Sequence, residues 1–271
     1  SRQVVVPMSN SVRTLRRIDL SIIIPAFNEQ KRIEQTLDRV DEFLRTRQYA
    51  SEVIVVDDGS TDATGDIVRS CKAAMPRLSL HSFEKNRGKG AAVRTGMIAA
   101  SGSARLFMDA DNSTDISHLD EALRCIEGGA DIVVGSRWID GAAVLVPQPV
   151  ARRMAGAVFR MMVRPLFRLR VKDSQNGFKA FTASAADWAF GPLQTKGWTF
   201  DVEILARAER LGLHVREIPV EWSNDKRSGV SWRHSMRIAF ELVSTRLRMS
   251  NVERPQSKYL LPRKLWGIGV G

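Results

Sequence analysis

Two aspartates separated by one residue, Asp109 and Asp111, are the residues of this sequence best suited to chemistry. They directly follow the apolar run RLFM (105–108), which has the composition of a buried strand. Alternate side chains of an extended chain point the same way, so both carboxylates would face one point. A cation would relieve their repulsion, and Mg²⁺ or Mn²⁺ binds carboxylates together with phosphate oxygens and water. The pair therefore predicts a metal site that bridges to a diphosphate.

Polar residues also follow the first two apolar runs of the chain. Acidic groups on a turn suit the base or the ribose hydroxyls of a nucleotide better than its phosphates. Asp, Asn and Gly at strand ends also form ordinary turns and helix caps, so each loop taken singly has a structural interpretation. The candidates are Pro25, Asn28 and Glu29 in the segment PAFNE that ends the first run, and Asp57 and Asp58 after the run VIVV.

The segment NRGKGAAVRTGM (86–97) has the residue types of a phosphate-binding turn. Gly88 and Gly90 allow a ligand or a neighbouring backbone to approach closely, and Lys89 offers a positive charge close to a helix N-terminus. The segment matches neither G-x-G-x-x-G nor a Walker loop. Dinucleotide-binding and ATPase interpretations therefore lose their usual support.

These loops need a scaffold that brings strand ends together, and the sequence predicts one. Short runs rich in β-branched or aromatic residues predict strands at 22–25, 53–56, 78–83, 105–108 and 131–135. Helical spacing separates them near 30–46, 62–74, 90–100 and 117–127. This alternation predicts an α/β fold with a mainly parallel sheet that is flanked by helices and buried on both faces. Ligands of such sheets bind beyond the carboxyl ends of the strands.

Seven segments, taken in order, resemble the polyprenyl-phosphate glycosyltransferases. They are SIIIPAFNE, EVIVVDDGSTDAT, NRGKGAAVRTGM, FMDADN, DIVVGSR, DSQNGFKAF and WTFDVEILARAERLG. Dolichyl-phosphate β-glucosyltransferases are the most similar type and dolichyl-phosphate mannose synthases come next, over roughly residues 19–232. The resemblance implies an inverting, metal-dependent enzyme with the Rossmann-like GT-A fold. It favours UDP-glucose as the donor, with UDP-linked amino sugars and GDP-mannose as alternatives.

The resemblance also implies a role for each residue that matches one of its motifs. Residues of the nucleotide pocket would be Pro25, Asn28, Glu29, Asp57 and Asp58. Residues holding the metal and the diphosphate would be Asp109 and Asp111. The acceptor phosphate would face Arg137, and the segment under the sugar would contain Gln175 and Asn176. A loop closing over the donor is partly matched by Arg227, Gly229 and Ser231.

The sequence departs from that family at two positions. Ser113 stands where mannose synthases often have Gln, which weakens the expectation of a third side-chain ligand for the metal. Trp232 stands where the closing loop commonly has Lys, which puts its contact with phosphate in doubt.

The positive charge is concentrated in the second half of the chain. Residues 141–271 carry 22 Lys and Arg against 10 Asp and Glu, whereas residues 1–140 carry 19 against 20. The segment 150–170 has six arginines and no acidic residue, and helical projection separates the arginines from Met154, Val158 and Met161. A basic amphipathic helix suits an anionic membrane surface. The alternative is a surface helix whose apolar side packs on the core. Pro165 is expected to kink or divide the helix.

A second amphipathic helix is predicted near 231–249, with core packing and membrane contact equally compatible with its apolar side. Together the two helices predict an apolar, positive surface beside Asp109, suited to a polyprenyl phosphate. A phosphate monoester carries about −1.5 to −2 charges at pH 7 and can attack the anomeric carbon without a general base. Arg137, with Arg152 or Arg153, would position this phosphate.

Three other functions are compatible with parts of this pattern. A GT-A enzyme acting on a sugar hydroxyl would need a carboxylate base, for which Asp173 or Asp201 is available. A sugar nucleotidyltransferase would have a glycine-rich phosphate loop where this chain has PAFNE. A nucleic-acid binder would explain the basic half, but it leaves the four aspartates at the strand ends unexplained and lacks aromatic residues interleaved with the basic patch. We therefore expect no nucleic-acid partner.

The chain is predicted to divide into a basic arm (1–18), a catalytic domain (19–225) and a C-terminal part (226–271). The last of these would contain the closing loop, the second amphipathic helix and a tail. No apolar run approaches the ~18–20 residues of a transmembrane helix, and no secretory signal pattern opens the chain. We therefore expect a peripheral protein at the cytoplasmic face of a membrane. Cys71 and Cys125 are expected to be reduced thiols in helices.

Overall fold

The computed structural model describes residues 18–224 and 233–249, with the backbone alone for 233–240. Several predicted features lie outside these residues. They are the arginines of the N-terminal arm, the tail, and Arg227, Gly229, Ser231 and Trp232 of the closing loop.

The described residues form nine strands, eight α-helices and one short 3₁₀ helix (Ile116–His118). The strands are β1 (Leu20–Ala26), β2 (Ser51–Asp57), β3 (Leu78–Ser82), β4 (Ala104–Met108), β5 (Ile132–Ser136), β6 (Ala143–Val146), β7 (Phe178–Thr182), β8 (Val215–Pro219) and β9 (Glu221–Ser223). The helices are α1 (Ile33–Arg45), α2 (Thr64–Cys71), α3 (Lys89–Ala99), α4 (Leu119–Glu127), α5 (Val150–Phe167), α6 (Ala183–Phe190), α7 (Phe200–Leu211) and α8 (Arg233–Met249).

Seven strands form one sheet in the order β3-β2-β1-β4-β7-β5-β8. Strands β1 to β4 are mutually parallel, and β5 pairs in parallel with β8. Between these two groups, β7 is antiparallel to both β4 and β5. The predicted α/β fold with a mainly parallel sheet is confirmed, as are all five predicted strands and the four helices between them. The antiparallel β7 was not predicted.

Alternate residues of the central strands enter separate apolar layers on the two faces of the sheet. Ile22 and Ile24 of β1 pack with α1, α2 and α4 on one face. Ile23 packs with α3, α6 and α7 on the other face. Burial on both faces explains why β1 and β2 are continuous runs of Ile and Val rather than alternating patterns.

Helix α5 differs from its prediction at Pro165. The helix continues through this residue to Phe167 and is not divided. Because Pro165 lies in the last turn, it removes a single backbone hydrogen bond close to the natural end of the helix. Arg168 then adopts a left-handed conformation (φ 56°), and the amide of Leu169 donates to the carbonyl oxygen of Arg164 at 2.9 Å.

Two further observations concern membrane-spanning helices and the two cysteines. Within residues 18–224 and 233–249, the structure contains no helix with both the length and the apolar character needed to cross a membrane. Cys71 and Cys125 are free thiols in α2 and α4, as expected.

Candidate functional site

The two aspartates lie just beyond the carboxyl end of β4, at the edge of the sheet where a parallel fold binds ligands. The amide of Asp109 donates to the carbonyl oxygen of Gly177 at 3.0 Å. A side chain at position 177 would overlap the Asp109 carboxylate and displace it, so glycine at this position leaves room for that carboxylate. Asp111 accepts a hydrogen bond from the amide of Ser113 at 3.0 Å. Burial, together with the charge of Asp109, raises the pKa of the Asp111 carboxyl.

Lys89 lies directly against this pair. Its ammonium is 2.6 Å from Asp109 Oδ1, and its side chain is 17% exposed. Burial disfavours the charged amine, but the surrounding carboxylates, led by Asp109 and Asp201, raise the pKa of Lys89 overall. The lysine predicted from the glycine-rich segment therefore enters the site as a cation that is paired with Asp109.

A second, fully buried ion pair supports the site from below. Lys179 of β7 has no exposed side-chain surface, and its ammonium contacts Asp201 of α7 and the carbonyl oxygen of Asn176, both at 2.6 Å. Burial raises the pKa of Asp201, although the charges of Lys179 and Lys89 oppose the shift. Lys89 and Lys179 thus neutralise the negative charge that Asp201 and Asp109 bring into the site.

The two carboxylates suit a divalent cation whose coordination is completed by oxygens of a phosphorylated substrate. Within the described part of the chain, no three His, Cys, Asp or Glu side chains come together closely enough to hold a metal ion by themselves. Asp109 and Asp111 therefore offer two carboxylates, and the remaining positions suit phosphate oxygens and water. Burial raises the pKa of Glu29, the hydrogen bond and charge of Arg32 oppose this shift, and the charges of Asp111 and Asp109 add to it.

The predicted nucleotide-binding residues bring the first two strand ends together. Asn28 adopts a left-handed conformation (φ 56°), and its side-chain oxygen accepts from the amide of Thr61 at 2.9 Å. The amide of Glu29 donates to Thr64 Oγ1 at 2.8 Å. Pro25 is buried within β1. These contacts join the loops after β1 and β2 into one wall beside Asp111.

Asp57 and Asp58 have structural hydrogen bonds in addition to their predicted role. Asp57 accepts from the amide of Ser60 at 3.0 Å, which closes the turn after β2. Asp58 is 3% exposed and accepts from the amides of Arg87 and Gly88 at 2.7 and 2.9 Å. Burial raises the pKa of Asp58, and these two amides oppose the shift. Asp58 therefore fixes the loop that carries Lys89.

The glycines of this loop allow the backbone of another segment to approach closely. Gly88 (φ 100°) and Gly90 both face the backbone of residues 195–197. A methyl group on Gly90 would lie 2.6 Å from the carbonyl oxygen of Thr195 and 2.7 Å from Phe200 Cβ. The approaching group is a neighbouring backbone, one of the two possibilities that the sequence left open. Lys89 reaches from this loop to Asp109.

Arg137 lies near the site but is already paired. Its Nε and Nη2 donate to Asp173 at 2.7 and 2.9 Å, and its amide donates to the same carboxylate. Burial opposes ionisation of Asp173, but these bonds hold its pKa below the usual range. The amide of Gln175 also donates to Asp173. The Asp173 carboxylate thus has two donors on each oxygen, and Asp201 is buried against Lys179, so both candidate bases for a hydroxyl acceptor are already engaged in this structure.

A groove of about 780 Å³ opens beside Arg137 along the C-terminal half of α5. Its lining combines apolar and cationic side chains, namely Trp138, Arg160, Met161, Arg164, Pro165, Arg168, Leu169 and Lys172. The Arg160 guanidinium lies 4.0 Å from the centroid of the Trp138 ring. Burial lowers the pKa of Arg160, the charge of Asp173 opposes this shift, and the charge of Arg137 adds to it. Trp138 follows Arg137 directly in the chain, so the groove begins beside the Arg137–Asp173 pair.

The other predicted residues differ in how far they are buried. Arg153 is exposed and Arg152 half-buried in the first turn of α5, two turns before Arg160. Asn176 is 1% exposed, and its side-chain oxygen accepts from Thr114 Oγ1 at 3.3 Å. Gln175 is half-buried. Asn176, which the resemblance places under the sugar, is therefore buried below the surface of the site.

The sequence analysis did not single out Lys179 or Trp198 as site residues. The sequence gives no signal for Lys179, because lysine is almost never fully buried unless it is paired. Trp198 belongs to the quoted segment WTFDVEILARAERLG, and its ring centroid lies 5.3 Å from Lys89 Nζ. A bulky aromatic residue in a glycine-flanked loop was the available signal.

Comparisons with known proteins show which family the chain resembles over most of its length. Residues 21–186 match the family described as Glycosyl transferase family 2. A dolichyl-phosphate beta-glucosyltransferase of Trichomonas vaginalis is 36% identical over 234 residues, which is 82% of this chain and 69% of that protein. A dolichyl-phosphate beta-glucosyltransferase of Drosophila melanogaster is 38% identical over 220 residues, 76% of this chain and 67% of that protein.

Among solved structures, the fold is similar to that of glucosyl-3-phosphoglycerate synthase from Mycobacterium tuberculosis. The form crystallised with Mn²⁺, UDP-glucose and phosphoglyceric acid superposes with a TM-score of 0.65 at 18% identity, covering 89% of this chain and 81% of that one. At this identity the likeness concerns the fold alone.

Proposed function

The chain belongs to glycosyltransferase family 2, and we propose that it transfers glucose from UDP-glucose to a polyprenyl monophosphate such as dolichyl phosphate. The observation that carries this proposal is the meeting of two unlike surfaces. The Asp109–Asp111 pair lies at one end, and the cationic groove of α5 lies at the other, with the Arg137–Asp173 pair between them. A substrate pair consisting of a nucleotide diphosphate and a lipid phosphate requires both.

The donor would lie across the carboxyl ends of β1, β2 and β4. The wall formed by Pro25, Asn28 and Glu29, together with Asp57 and Asp58, would contact the nucleoside. Lys89 would bind the diphosphate, to which it can turn from Asp109. Asp109 and Asp111 would hold Mg²⁺ or Mn²⁺, whose charge neutralises the departing diphosphate.

The acceptor phosphate would lie between Arg137 and the groove, with Arg160 as a further contact and Arg152 or Arg153 nearer the start of α5. In a single displacement, a phosphate oxygen forms a bond to C1 of glucose. The bond from C1 to the diphosphate breaks at the same time, and UDP leaves with the electron pair. The configuration at C1 is inverted. Because the phosphate is already anionic, no residue needs to remove a proton, and the saturated bonding of Asp173 agrees with this mechanism.

The polyprenyl tail would extend from the groove into a membrane that α5 contacts. Most of the large apolar side chains of α5 are solvent-exposed, among them Met154 (65%), Val158 (51%) and Met161 (70%). The strand β6 adds exposed Leu145 (59%). An exposed apolar stripe flanked by arginines supports peripheral attachment, which we assign to the cytoplasmic face, where the membrane surface is anionic.

Two assays test the proposal. Calorimetry should detect manganese-dependent binding of UDP-glucose, with UDP-N-acetylglucosamine and GDP-mannose as competing donors. Incubation of radiolabelled nucleotide sugars with polyprenyl phosphate should transfer label to the lipid. Absence of manganese-dependent binding for every UDP- and GDP-sugar would contradict the donor site. Transfer to a water-soluble sugar, with none to the lipid phosphate, would contradict the acceptor.

The carboxylate pair gives a residue-specific form of this test. Asp109→Ala and Asp111→Ala should each reduce transfer at least about 100-fold, or about 2.7 kcal/mol of transition-state stabilisation. Asp115→Asn is the matched control, because this side chain is in the same loop but half-exposed and caps a 3₁₀ turn through the amide of Ser117. Near-normal kcat in the Asp111→Ala enzyme would refute the metal-binding role.

A further inference from the structure

Trp198 presents a half-exposed indole at the rim of the candidate site. Its side chain is 47% exposed, whereas the neighbouring aromatic residues Phe107 and Phe200 are completely buried. The ring centroid lies 5.3 Å from Lys89 Nζ, and the same nitrogen is 2.6 Å from Asp109 Oδ1. The indole and the carboxylate therefore flank one ammonium group. A sugar attached to a diphosphate at Asp109 would extend within reach of the ring.

The backbone on both sides of Trp198 is fixed by specific contacts. On one side, the amide of Ala91 donates to the carbonyl oxygen of Lys196 at 3.2 Å, which ties the loop to α3. On the other side, Thr199 Oγ1 donates to Glu241 Oε2 of α8 at 3.0 Å. The backbone that carries the ring is consequently held in place before a ligand binds, which lowers the ordering cost of recognition.

We propose that Trp198 packs against the face of the donor sugar and selects hexoses with an equatorial hydroxyl at C4. This inference rests on the proposed function, in which the donor carries its diphosphate axially at C1. The opposite face of glucose has C–H groups at C2 and C4, and an aromatic ring packs well against C–H groups. Contact near C4 and C6 would leave C1 open to the incoming phosphate.

The same geometry disfavours galactose. Its C4 hydroxyl is axial and projects from the face that the indole would cover. The hydroxyl would lose its hydration against an apolar surface without gaining a hydrogen bond, which costs free energy. Trp198 therefore distinguishes UDP-glucose from UDP-galactose, two donors that differ at this single centre.

The test compares the affinities of UDP, UDP-glucose and UDP-galactose for the full chain in the presence of Mn²⁺. In Trp198→Leu, UDP-glucose should bind about 2- to 12-fold more weakly, the range that aromatic packing contacts span. The affinity for UDP should be unchanged, and the preference over UDP-galactose should shrink accordingly. Trp198→Phe should recover part of both.

Trp188→Leu is the matched control. Trp188 is 38% exposed, and its helix α6 lies at the opposite end of β4, where Asp187 contacts Arg105 at 2.7 Å. This variant should retain the donor preference of the parent protein. Equal weakening of UDP and UDP-glucose in Trp198→Leu, or an unchanged preference for glucose, would overturn the assignment of Trp198 and leave the proposed function standing. Failure of the parent protein to bind any UDP-sugar would overturn both.

Discussion

At the scale of single residues, the charged side chains of the site form ion pairs with one another. Lys89 contacts Asp109, Lys179 contacts Asp201, and Arg137 contacts Asp173. A buried ion pair contributes little stability in itself, but removal of one partner leaves an uncompensated charge. These ion pairs therefore fix the geometry of the site. The apolar packing of the surrounding sheet must offset the free energy lost when their charges are removed from water.

Asp173→Asn should destabilise the protein by about 3–5 kcal/mol, because it leaves the half-buried Arg137 guanidinium without its counter-ion. The pKa of Asp173 is lowered in the folded protein, so its contribution to stability is present above the ordinary value of about 4 and is lost as the pH falls toward the folded-state value. The variant should therefore show a flatter decline in stability on acidification. Urea denaturation between pH 7 and pH 3 measures both effects.

Asp66→Asn is the control for this change, since Asp66 forms a surface pair with Arg69 and its side chain is 78% exposed. Its unfolding midpoint should remain that of the parent protein. Equal midpoints for Asp173→Asn and the parent at pH 7 would show that the buried pair does not contribute as argued.

At the scale of elements, Gly88 and Gly90 allow the start of α3 to pack closely against the loop at 195–197. A glycine-to-alanine substitution in α3 is therefore expected to have a different effect from one in α5. Gly90→Ala should destabilise the protein by about 1–3 kcal/mol, because the new methyl group would be forced against Thr195 and Phe200. Gly156→Ala should instead stabilise it by about 0.5–1 kcal/mol, since its methyl group would meet only Arg160 Nη1 at 3.6 Å. Denaturant midpoints of the two variants, measured side by side, check the opposite signs.

A stabilised Gly90→Ala protein would contradict the close packing described for this loop. Gly90→Ala should also lower donor affinity, because α3 carries Lys89. Gly156→Ala should leave donor affinity unchanged.

The exposed stripe of α5 makes a separate prediction about membranes. Met161→Gln keeps the length and neutrality of the side chain but removes its apolar character. Partitioning onto lipid vesicles should fall about 10-fold or more, because burial of a Met side chain is worth about 1.5–3 kcal/mol. Flotation with vesicles measures the bound fraction.

Ile98→Gln on α3 is the control, since Ile98 is also half-exposed but lies on a different helix. It should leave vesicle binding unchanged. If both variants, or neither, reduced binding, α5 would not be the contact surface. The outward exposure of Val243 and Leu247 on α8, with Leu242 buried, shows that this helix also turns apolar side chains away from the core.

At the scale of the whole molecule, the charge distribution predicts how attachment responds to salt. The excess of cations lies in residues 141–271, which include α5 and the groove. Binding to vesicles that contain anionic lipid should weaken steadily as NaCl is raised from about 0.05 to 0.5 M, because the Debye length falls from about 14 to 4 Å. Vesicles of zwitterionic lipid alone should show weaker binding without this trend. Binding to anionic vesicles that did not respond to salt would exclude electrostatic attachment.

The sequence by itself determined the α/β class, the five predicted strands and the placement of Asp109 and Asp111 after a strand. These features depend on local patterns, namely runs of β-branched residues, helical spacing and alternation along an extended chain. They require no knowledge of which distant segments meet. The order of the segments also identified the glycosyltransferase family, which the comparisons confirm.

The tertiary structure decided which side chains share a site and which are already engaged. Insertion of β7 between β4 and β5 brings Gly177 to Asp109 and places Lys179 opposite Phe107, and α7 brings Asp201 to Lys179. Sequence analysis could nominate Asp173 as a base, but its burial against Arg137 emerges only from non-local packing. The apolar side of α5 is the clearest case. Periodicity gives its residues one side of a helix, whereas only the neighbours present in the fold decide that this side faces outward.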